Sequence, residues 1–140
     1  MTGAVKLPPF FSLICMPSVG STNDEAKRLA EGGAAEGTLV WGLEQTAGRG
    51  RRGRGWHSPP GNLYISAVLR PARPAAQSAL IGFVAAVALA DALQDLGLAS
   101  DRVRLKWPND VLVDKAKVAG ILVETAAVAG EVPPWLVLGM

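Results

Sequence analysis

The residues best suited to binding or catalysis lie between positions 48 and 56, where the sequence reads GRGRRGRGW. Four arginines are interspersed with four glycines in this stretch. Guanidinium groups are planar forks that pair with phosphate or carboxylate oxygens, and glycines let the backbone approach a ligand closely. The stretch therefore predicts a loop that is mobile when empty and closes over an anionic ligand.

Three other interpretations of this loop are open. Arg-Gly tracts occur in disordered RNA-binding segments, although those segments usually repeat and lie in tails. A solvated surface loop without a ligand can have the same composition. A dinucleotide-binding fingerprint is the third interpretation, but arginine stands where its helix should begin and no helical pattern follows. The phosphate-binding loop fits the sequence best.

A second group of candidate residues follows in KWPND and DKAKVAGIL. Lys106 supplies an ammonium, and Asn109 and Asp110 supply an amide and a carboxylate, although such Asn-Asp pairs are most often turn formers. Lys117 ends the next predicted turn, KAK, and Gly120 in the strand-like run that follows leaves room for a ligand against the backbone. These residues make a ligand site here a candidate, although a lysine at a turn is more often solvated than functional.

A third group lies at the start of a predicted helix, STNDEAKRLAEGG. Thr22 and Glu25 have the spacing of a capping box, and the double glycine after residue 31 ends the helix. The free N–H groups of the first turn then point to a corner beside Ser21 and Thr22. A strand over 38–45 delivers Gln45 to the mouth of the arginine loop.

Apolar patterns and turn residues define the remaining elements. They predict a long helix from 75 to 96 and strands over 10–16, 62–70, 104–107, 111–114, 118–128 and 135–140. Hairpin-like spacing from Leu105 onward predicts mainly antiparallel pairing, with the helices on one face of the sheet. The fold class is α+β, and 140 residues allow one domain.

Composition limits the partners and the compartment. Outside the arginine loop, ten Lys and Arg residues are outnumbered by twelve Asp and Glu, which argues against a nucleic-acid-binding face. Residues 75–93 are interrupted by polar side chains and are too short for a span of about 20 apolar residues, so we predict a buried helix and no membrane contact. The lone Cys15 predicts a buried thiol, and the N-terminus lacks a secretory signal, so we expect a cytoplasmic protein.

The ordered set of STN, GRGRRG with the preceding Gln45, and KWPND followed by KxAGIL resembles the biotin protein ligase family, also called biotin–acetyl-CoA-carboxylase ligases. This family is more distantly related to lipoate ligases and class II aminoacyl-tRNA synthetases. The resemblance runs from about Phe11 to the last residue. It implies activation of biotin by MgATP to biotinyl-5′-adenylate, followed by transfer of biotin to a lysine of a biotin carboxyl carrier protein.

The resemblance also implies residue roles. Lys117 is the catalytic lysine, which bridges the biotin carboxylate and the α-phosphate, and Arg51 holds the activated intermediate. Asp110 supports magnesium. For the lone His57 next to the loop, the residue type favours packing or a hydrogen bond over a role as a base. The implied biotin-binding residues are Ser21, Thr22, Asn23, Gln45, Gly48, Arg49, Gly50, Arg51, Trp56, Lys117 and Gly120, with Leu63 and Ile121 as further apolar walls. The implied ATP- and phosphate-binding residues are Arg49, Arg51, Arg52, Lys106 and Asn109.

The resemblance further implies that residues 1–140 are the N-terminal part of a ligase catalytic domain without a DNA-binding domain. The C-terminal remainder and a small β-barrel would be absent. If nothing follows it, the final strand is expected to expose an unpaired edge, which predicts a homodimer or aggregation. Two other functions are open: a lipoate or octanoate ligase, and a non-catalytic module that binds biotin or the adenylate.

Overall fold

A computed structural model describes residues 5–126 and 130–140. The helices are α1 Thr22–Glu31, α2 Ala75–Ser78 and α3 Ile81–Asp95. The strands are β1 Ser12–Met16, β2 Thr38–Gly42, β3 Tyr64–Leu69, β4 Val103–Lys106, β5 Asp110–Val113, β6 Ala116–Gly120, β7 Leu122–Thr125 and β8 Leu136–Gly139.

The strands form two sheets. The larger sheet has the order β1-β2-β3-β8-β7, and the smaller one has the order β4-β5-β6. Only β1 and β2 pair in parallel among the strand pairs of the described residues. The predicted α+β class and the mainly antiparallel pairing are therefore confirmed.

The two longer helices pack on opposite faces of the larger sheet, whereas the sequence led us to expect them on one face. Val137 of β8 packs in a buried cluster with Ala26 and Ala30 of α1. Its neighbour Leu138 packs in a second cluster that contains Ala85 and Ala86 of α3. Successive side chains of a strand point to opposite faces, so α1 and α3 enclose the sheet between them.

Helix α1 begins one residue earlier than the predicted capping box requires. Ser21 is the N-cap, with extended backbone angles, and its hydroxyl accepts the Asp24 N–H at 3.4 Å. Thr22 already lies inside the helix, and Glu25 forms an ion pair with Arg28. The shift turns the hydroxyl of Thr22 away from a capping role and leaves it available to other partners.

The predicted helix over 75–96 is divided into α2 and α3, and the expectation that it is buried is wrong for one side of α3. Small residues such as Ala85 and Ala90 pack on the sheet, while Phe83, Val84 and Val87 are 42%, 59% and 50% exposed. The alanines allow the helix to approach the sheet closely, and these three larger apolar residues lie on its outer side. By length and composition, Ala75–Asp95 is the one stretch of the described residues that could cross a membrane.

Two expectations about strand exposure are also wrong. Cys15 is exposed because β1 is an edge strand and only the adjacent Met16 packs against the α1 cluster. Strand β8 is not an edge, since it pairs with both β3 and β7. The predicted homodimer therefore loses the exposed final strand as its basis.

The predicted strand over 118–128 is interrupted at Ile121, which divides it into β6 and β7. The Ile121 N–H donates to the Asn109 carbonyl at 2.9 Å. This break passes the chain from the small sheet to the large one. Lys117, predicted in a turn, lies within β6. Residues 127 and 128 of the predicted strand lie outside the described residues.

Candidate active site

A cavity of about 370 Å³ lies where the start of α1, the arginine loop, β6 and the end of β8 meet. Most of the residues predicted for biotin and phosphate binding line it. They are Ser21, Thr22, Asn23, Gln45, Arg49, Gly50, Arg51, Trp56, Asn109, Asp110, Lys117, Gly120 and Ile121. The structure thus brings the three sequence motifs to one place.

Gln45 ties the start of α1 to the arginine loop. Its Oε1 atom accepts the Thr22 backbone N–H at 2.8 Å and the Thr22 hydroxyl at 3.0 Å. Its Nε2 atom donates to Ser58 Oγ at 3.0 Å. One amide therefore satisfies a free N–H group of the helix N-terminus and fixes the Thr22 side chain beside the cavity.

Asn23 is 4% exposed and is held at both ends of its carboxamide. The hydroxyl of Ser66, a fully buried residue of β3, donates to Asn23 Oδ1 at 2.6 Å. Asn23 Nδ2 donates to Glu124 Oε2 at 2.8 Å and lies 3.5 Å from the Leu122 carbonyl oxygen. A Cβ atom at Gly139 would overlap Asn23 Oδ1, so the glycine makes room for this arrangement.

Arg49 belongs to a ring of alternating charges beneath the loop. Its guanidinium donates to Asp24 Oδ2 at 2.6 Å and to both oxygens of Glu124 at 3.0 and 2.8 Å. Lys27 completes the ring, with Nζ at 2.9 Å from Asp24 and 3.4 Å from Glu124. Arg49 was predicted to bind phosphate and biotin, but here the protein's own carboxylates hold it.

The charge ring shifts the pKa of its members. Burial tends to raise the pKa of Glu124, but hydrogen bonds from Asn23 and Arg49 outweigh it and keep that pKa below its ordinary value. Asp24 behaves alike, since the hydrogen bonds from Arg49 and Lys27 outweigh its burial and lower its pKa. Both carboxylates are therefore ionised at neutral pH and offset the positive charge of Arg49.

The arginine loop is a short hairpin. The Trp56 N–H donates to the Gly48 carbonyl at 2.8 Å, and the Gly50 N–H donates to the Arg54 carbonyl at 2.7 Å. Within residues 5–126 and 130–140, the side chains of Arg51 and Arg54 form no hydrogen bond or ion pair, and both line the cavity. Two guanidinium groups are thus free to bind an anion.

Lys117 enters the cavity from β6 with its ammonium in a fixed position. Nζ lies 2.8 Å from Asp110 Oδ1 and 4.7 Å from the centre of the Trp56 ring. A Cβ atom at Gly120 would come within 3.2 Å of the same Nζ, so glycine leaves space for the ammonium. A carboxylate on one side and an aromatic face on the other hold a cation well.

Asn109 lines the cavity but is engaged with the backbone. Its Nδ2 atom donates to the Ile121 carbonyl at 3.0 Å, while its own carbonyl accepts the Ile121 N–H. These two bonds connect the KWPND turn to Ile121, where the chain passes from the small sheet to the large one. Asn109 therefore shapes the position of Asp110 and Gly120 in this structure.

Four predicted residues do not line the cavity: Gly48, Arg52, Leu63 and Lys106. Gly48 acts through packing, since a Cβ atom there would lie 2.6 Å from Ser58 Oγ and 2.9 Å from Gln45 Nε2. Arg52 has a left-handed backbone with φ of 58° and is exposed. Leu63 is 61% exposed, and Lys106 is on the edge strand β4.

The sequence interpretation missed Ser66, Glu124 and Gly139. Each carried a weak signal, because Ser66 and Glu124 are polar residues in mainly apolar strands and Gly139 ends the apolar run of the final strand. Their importance depends on strand register, since Ser66 lies directly opposite Gly139 and Glu124 opposite Val137. That register brings all three residues to the face covered by α1.

The site and the two-sheet fold together define a class of protein with a polar pocket at a helix start and a cationic loop over it. The profile of the biotin/lipoate A/B protein ligase family matches residues 15–133, and the chain belongs to this family. It is 51% identical over 109 residues to the biotin–[acetyl-CoA-carboxylase] ligase of Paracoccus denitrificans. That match covers 76% of this chain and 44% of the relative.

Solved structures agree with this assignment. The biotin protein ligase from Aquifex aeolicus in complex with biotin and ATP matches with a TM-score of 0.71 at 34% identity, over 91% of this chain and 50% of that one. The ligase from Leishmania major in complex with biotinyl-5-AMP matches with a TM-score of 0.71 at 30% identity, over 95% and 56%. The chain therefore spans about half the length of the relatives it matches.

Proposed function

We propose that this protein activates biotin with ATP to biotinyl-5′-adenylate and transfers the biotinyl group to a lysine of a biotin carboxyl carrier protein. The observation that carries the proposal is the Lys117 ammonium, held by Asp110 and Trp56 in a cavity that has a buried polar wall opposite an arginine loop. The names of the relatives and their complexes with biotin, ATP and biotinyl-5-AMP support it.

The polar wall is the proposed site of the biotin ring system. Hydroxyl, amide and helix N-terminal N–H groups match the donors and acceptors of a ureido group, and Ser21, Thr22 and Asn23 supply them. Trp56 and Ile121 line the same cavity and would cover the apolar part of the ligand. The carboxylate of biotin then extends toward Lys117.

In the first step, a carboxylate oxygen of biotin attacks the α-phosphorus of ATP. The bond from that phosphorus to the bridging oxygen breaks, and pyrophosphate leaves. Two anions must approach each other in this step, so a fixed ammonium between them lowers their repulsion and stabilises the crowded phosphorus. We assign this role to Lys117 and phosphate binding to Arg51.

In the second step, the uncharged amine of the carrier lysine attacks the carbonyl carbon of the mixed anhydride. The bond from this carbon to the phosphate oxygen breaks, AMP leaves, and the new amide nitrogen loses a proton. The acceptor lysine is itself the nucleophile, so no serine or cysteine nucleophile is needed. The carrier protein must therefore present an exposed lysine.

Magnesium is proposed to enter with ATP as part of the substrate. The described residues contain no group of three or more His, Cys, Asp or Glu residues that could hold a metal ion. The predicted ligand Asp110 is engaged with Lys117 at 2.8 Å. One occupied carboxylate does not fit a resident magnesium site, whereas Mg²⁺ keeps several waters and binds readily to substrate phosphates.

The predictions about compartment and partners are also part of this proposal. We expect a cytoplasmic protein without a nucleic-acid partner. Self-association would use the exposed apolar side of α3, which includes Phe83, Val84 and Val87.

The proposal is tested by incubating the chain with biotin and MgATP and measuring biotinyl-5′-adenylate by mass spectrometry and pyrophosphate release. Formation of the adenylate, unaffected by excess lipoate, would support a biotin ligase. Lipoyl- or octanoyl-adenylate formed in preference would indicate a lipoate or octanoate ligase. Saturable biotin binding without pyrophosphate release would indicate a non-catalytic binding module.

A further inference from the structure

Glu124 is the charged residue of the edge strand β7, and no motif of the sequence accounts for it. Its side chain is 26% exposed and contacts two residues of the candidate site at once. One oxygen accepts the Asn23 amide N–H at 2.8 Å, and both oxygens accept the Arg49 guanidinium. The two partners come from different elements, helix α1 and the arginine loop.

The contact with Asn23 determines which way its carboxamide points. Asn23 Oδ1 receives the Ser66 hydroxyl and Asn23 Nδ2 faces the carboxylate of Glu124. A flipped carboxamide would place an oxygen against the ionised Glu124, which is unfavourable because two acceptors would meet. The negative charge of Glu124 therefore selects one orientation.

This orientation decides what Asn23 can offer to a ligand. The two Nδ2 hydrogens are directed at Glu124 and at the Leu122 carbonyl, whereas Oδ1 has two lone pairs and receives one hydroxyl in the described structure. Asn23 lines the cavity. It can therefore accept a hydrogen bond from a ligand N–H, but it has no hydrogen left to donate.

The contact with Arg49 also positions a residue of the candidate site. Glu124 and Asp24 together hold the guanidinium under the root of the arginine loop. Without Glu124, Asn23 and Arg49 would each lose a charge-assisted partner, and Arg49 would keep the more exposed Asp24 and the Ser21 hydroxyl. The start of α1 and the loop would no longer be tied to β7.

We propose that Glu124 is a positioning residue that sets the ligand specificity of this pocket: its carboxylate orients Asn23 as an acceptor for a ureido N–H and anchors Arg49. The inference rests on the proposed function, since biotin is the ligand whose ureido group supplies such an N–H. Glu124 acts through Asn23 and Arg49 and does not itself line the cavity.

The test compares Glu124→Gln with a matched control, Glu25→Gln, in the full chain. Glu25 is 20% exposed and pairs with Arg28 at 2.5 Å, but it does not line the cavity or contact Asn23. We expect Glu124→Gln to raise the biotin Kd, measured by calorimetry, about tenfold. Glu25→Gln should change the Kd less than about twofold, while both variants shift the melting temperature by similar small amounts.

A second readout does not depend on biotin. The side-chain amide protons of Asn23, observed by ¹⁵N-edited NMR of the ligand-free chain, should exchange faster with water in Glu124→Gln than in the wild type or in Glu25→Gln. Unchanged Asn23 signals in Glu124→Gln would overturn the inference. A biotin Kd that Glu124→Gln leaves within twofold of the wild type would overturn it as well.

The two readouts separate this inference from the proposed function. If the wild-type chain binds no biotin, the proposed function fails, and the Asn23 signals alone decide whether Glu124 orients that side chain. If the wild type binds biotin and both variants bind equally well, the proposed function stands and the role of Glu124 is contradicted.

Discussion

On the α1 side of the cavity, Ser21, Thr22 and Asn23 are each 4% exposed, and their side chains are bound to Gln45, Ser66, Glu124 and Arg49. On the loop side, Trp56 is 38% exposed, and Arg51 and Arg54 lie on the surface without side-chain partners among the described residues. The first wall is complete before any ligand arrives, and the second has charges that a ligand would pair. This difference indicates that one wall selects the ligand and the other acts on it.

The contrast has a physical basis. Buried polar groups must be satisfied within the protein, so the α1 wall can recognise a ligand only through the few donors and acceptors that remain. Exposed guanidinium groups are solvated by water, so the absence of a protein partner costs little stability. Charges that act on a phosphate are therefore better placed on a glycine-rich loop than in the interior.

Lys117→Ala should have the largest effect, because it removes the ammonium that faces the cavity. We expect the rate of adenylate formation to fall about 10²- to 10³-fold, while the biotin Kd changes less than about threefold. Lys106→Ala is the matched control, since Lys106 lies outside the cavity lining. Equal losses in both variants would contradict the assignment of the first step to Lys117.

Arg51→Ala should have the next largest effect, through one charge-assisted contact to phosphate. We expect the KM for ATP to rise about 10- to 100-fold with a smaller change in the KM for biotin. Arg52→Ala removes the neighbouring arginine that does not line the cavity and should leave both constants within twofold. Steady-state pyrophosphate release provides the measurement, and a larger change for biotin than for ATP would reverse the proposed roles of the two walls.

Gly139→Ala and Gly55→Ala compare the packing of the two walls through the free energy of unfolding. A methyl group at Gly139 would overlap Asn23 in the buried wall, whereas nothing lies within 4 Å of the corresponding position at Gly55. We expect Gly139→Ala to destabilise the fold by about 1–3 kcal/mol and Gly55→Ala to change it by less than about 0.5 kcal/mol. Urea denaturation gives both values, and similar losses at the two glycines would show that the loop wall is as closely packed as the α1 wall.

The pH dependence of stability should show the smallest effect. Glu124 has a folded-state pKa below its ordinary value of 4.5, so its contribution to stability is present above that value and is lost as the pH falls through the folded pKa. Between pH 7 and pH 3, the free energy of unfolding should fall more for the wild type than for Glu124→Gln, by at most about 1 kcal/mol. Parallel pH profiles for the two proteins would contradict the charge ring.

The sequence predicted the local parts of this architecture well. Apolar runs and the STN and Gly-Gly signals located β1, α1 and β3 to within about two residues. Part of the glycine-arginine stretch lines one cavity together with Gln45 and Lys117. These features depend on short stretches of chain, where turn chemistry and periodicity decide the outcome.

The parts that the sequence did not predict depend on contacts between distant segments. Asn23 and Glu124 are 101 positions apart, and their contact follows from the pairing of β7 with β8, which no local pattern specifies. The partners of Arg49 and the exposed side of α3 were missed for the same reason. Charge and apolarity indicate that such residues need partners, but only the tertiary fold determines which partners they find.

The most direct test of the account compares hydrogen exchange in the two walls with and without a sulfamoyl analogue of biotinyl-5′-adenylate. We expect the α1 amides of residues 25–31 to be protected in both states, and the loop amides of residues 51–53 to become protected only when the analogue is bound. A loop that is equally protected without the analogue, or an α1 that gains its protection from the analogue, would contradict the division between a preformed wall and a wall that closes on the ligand.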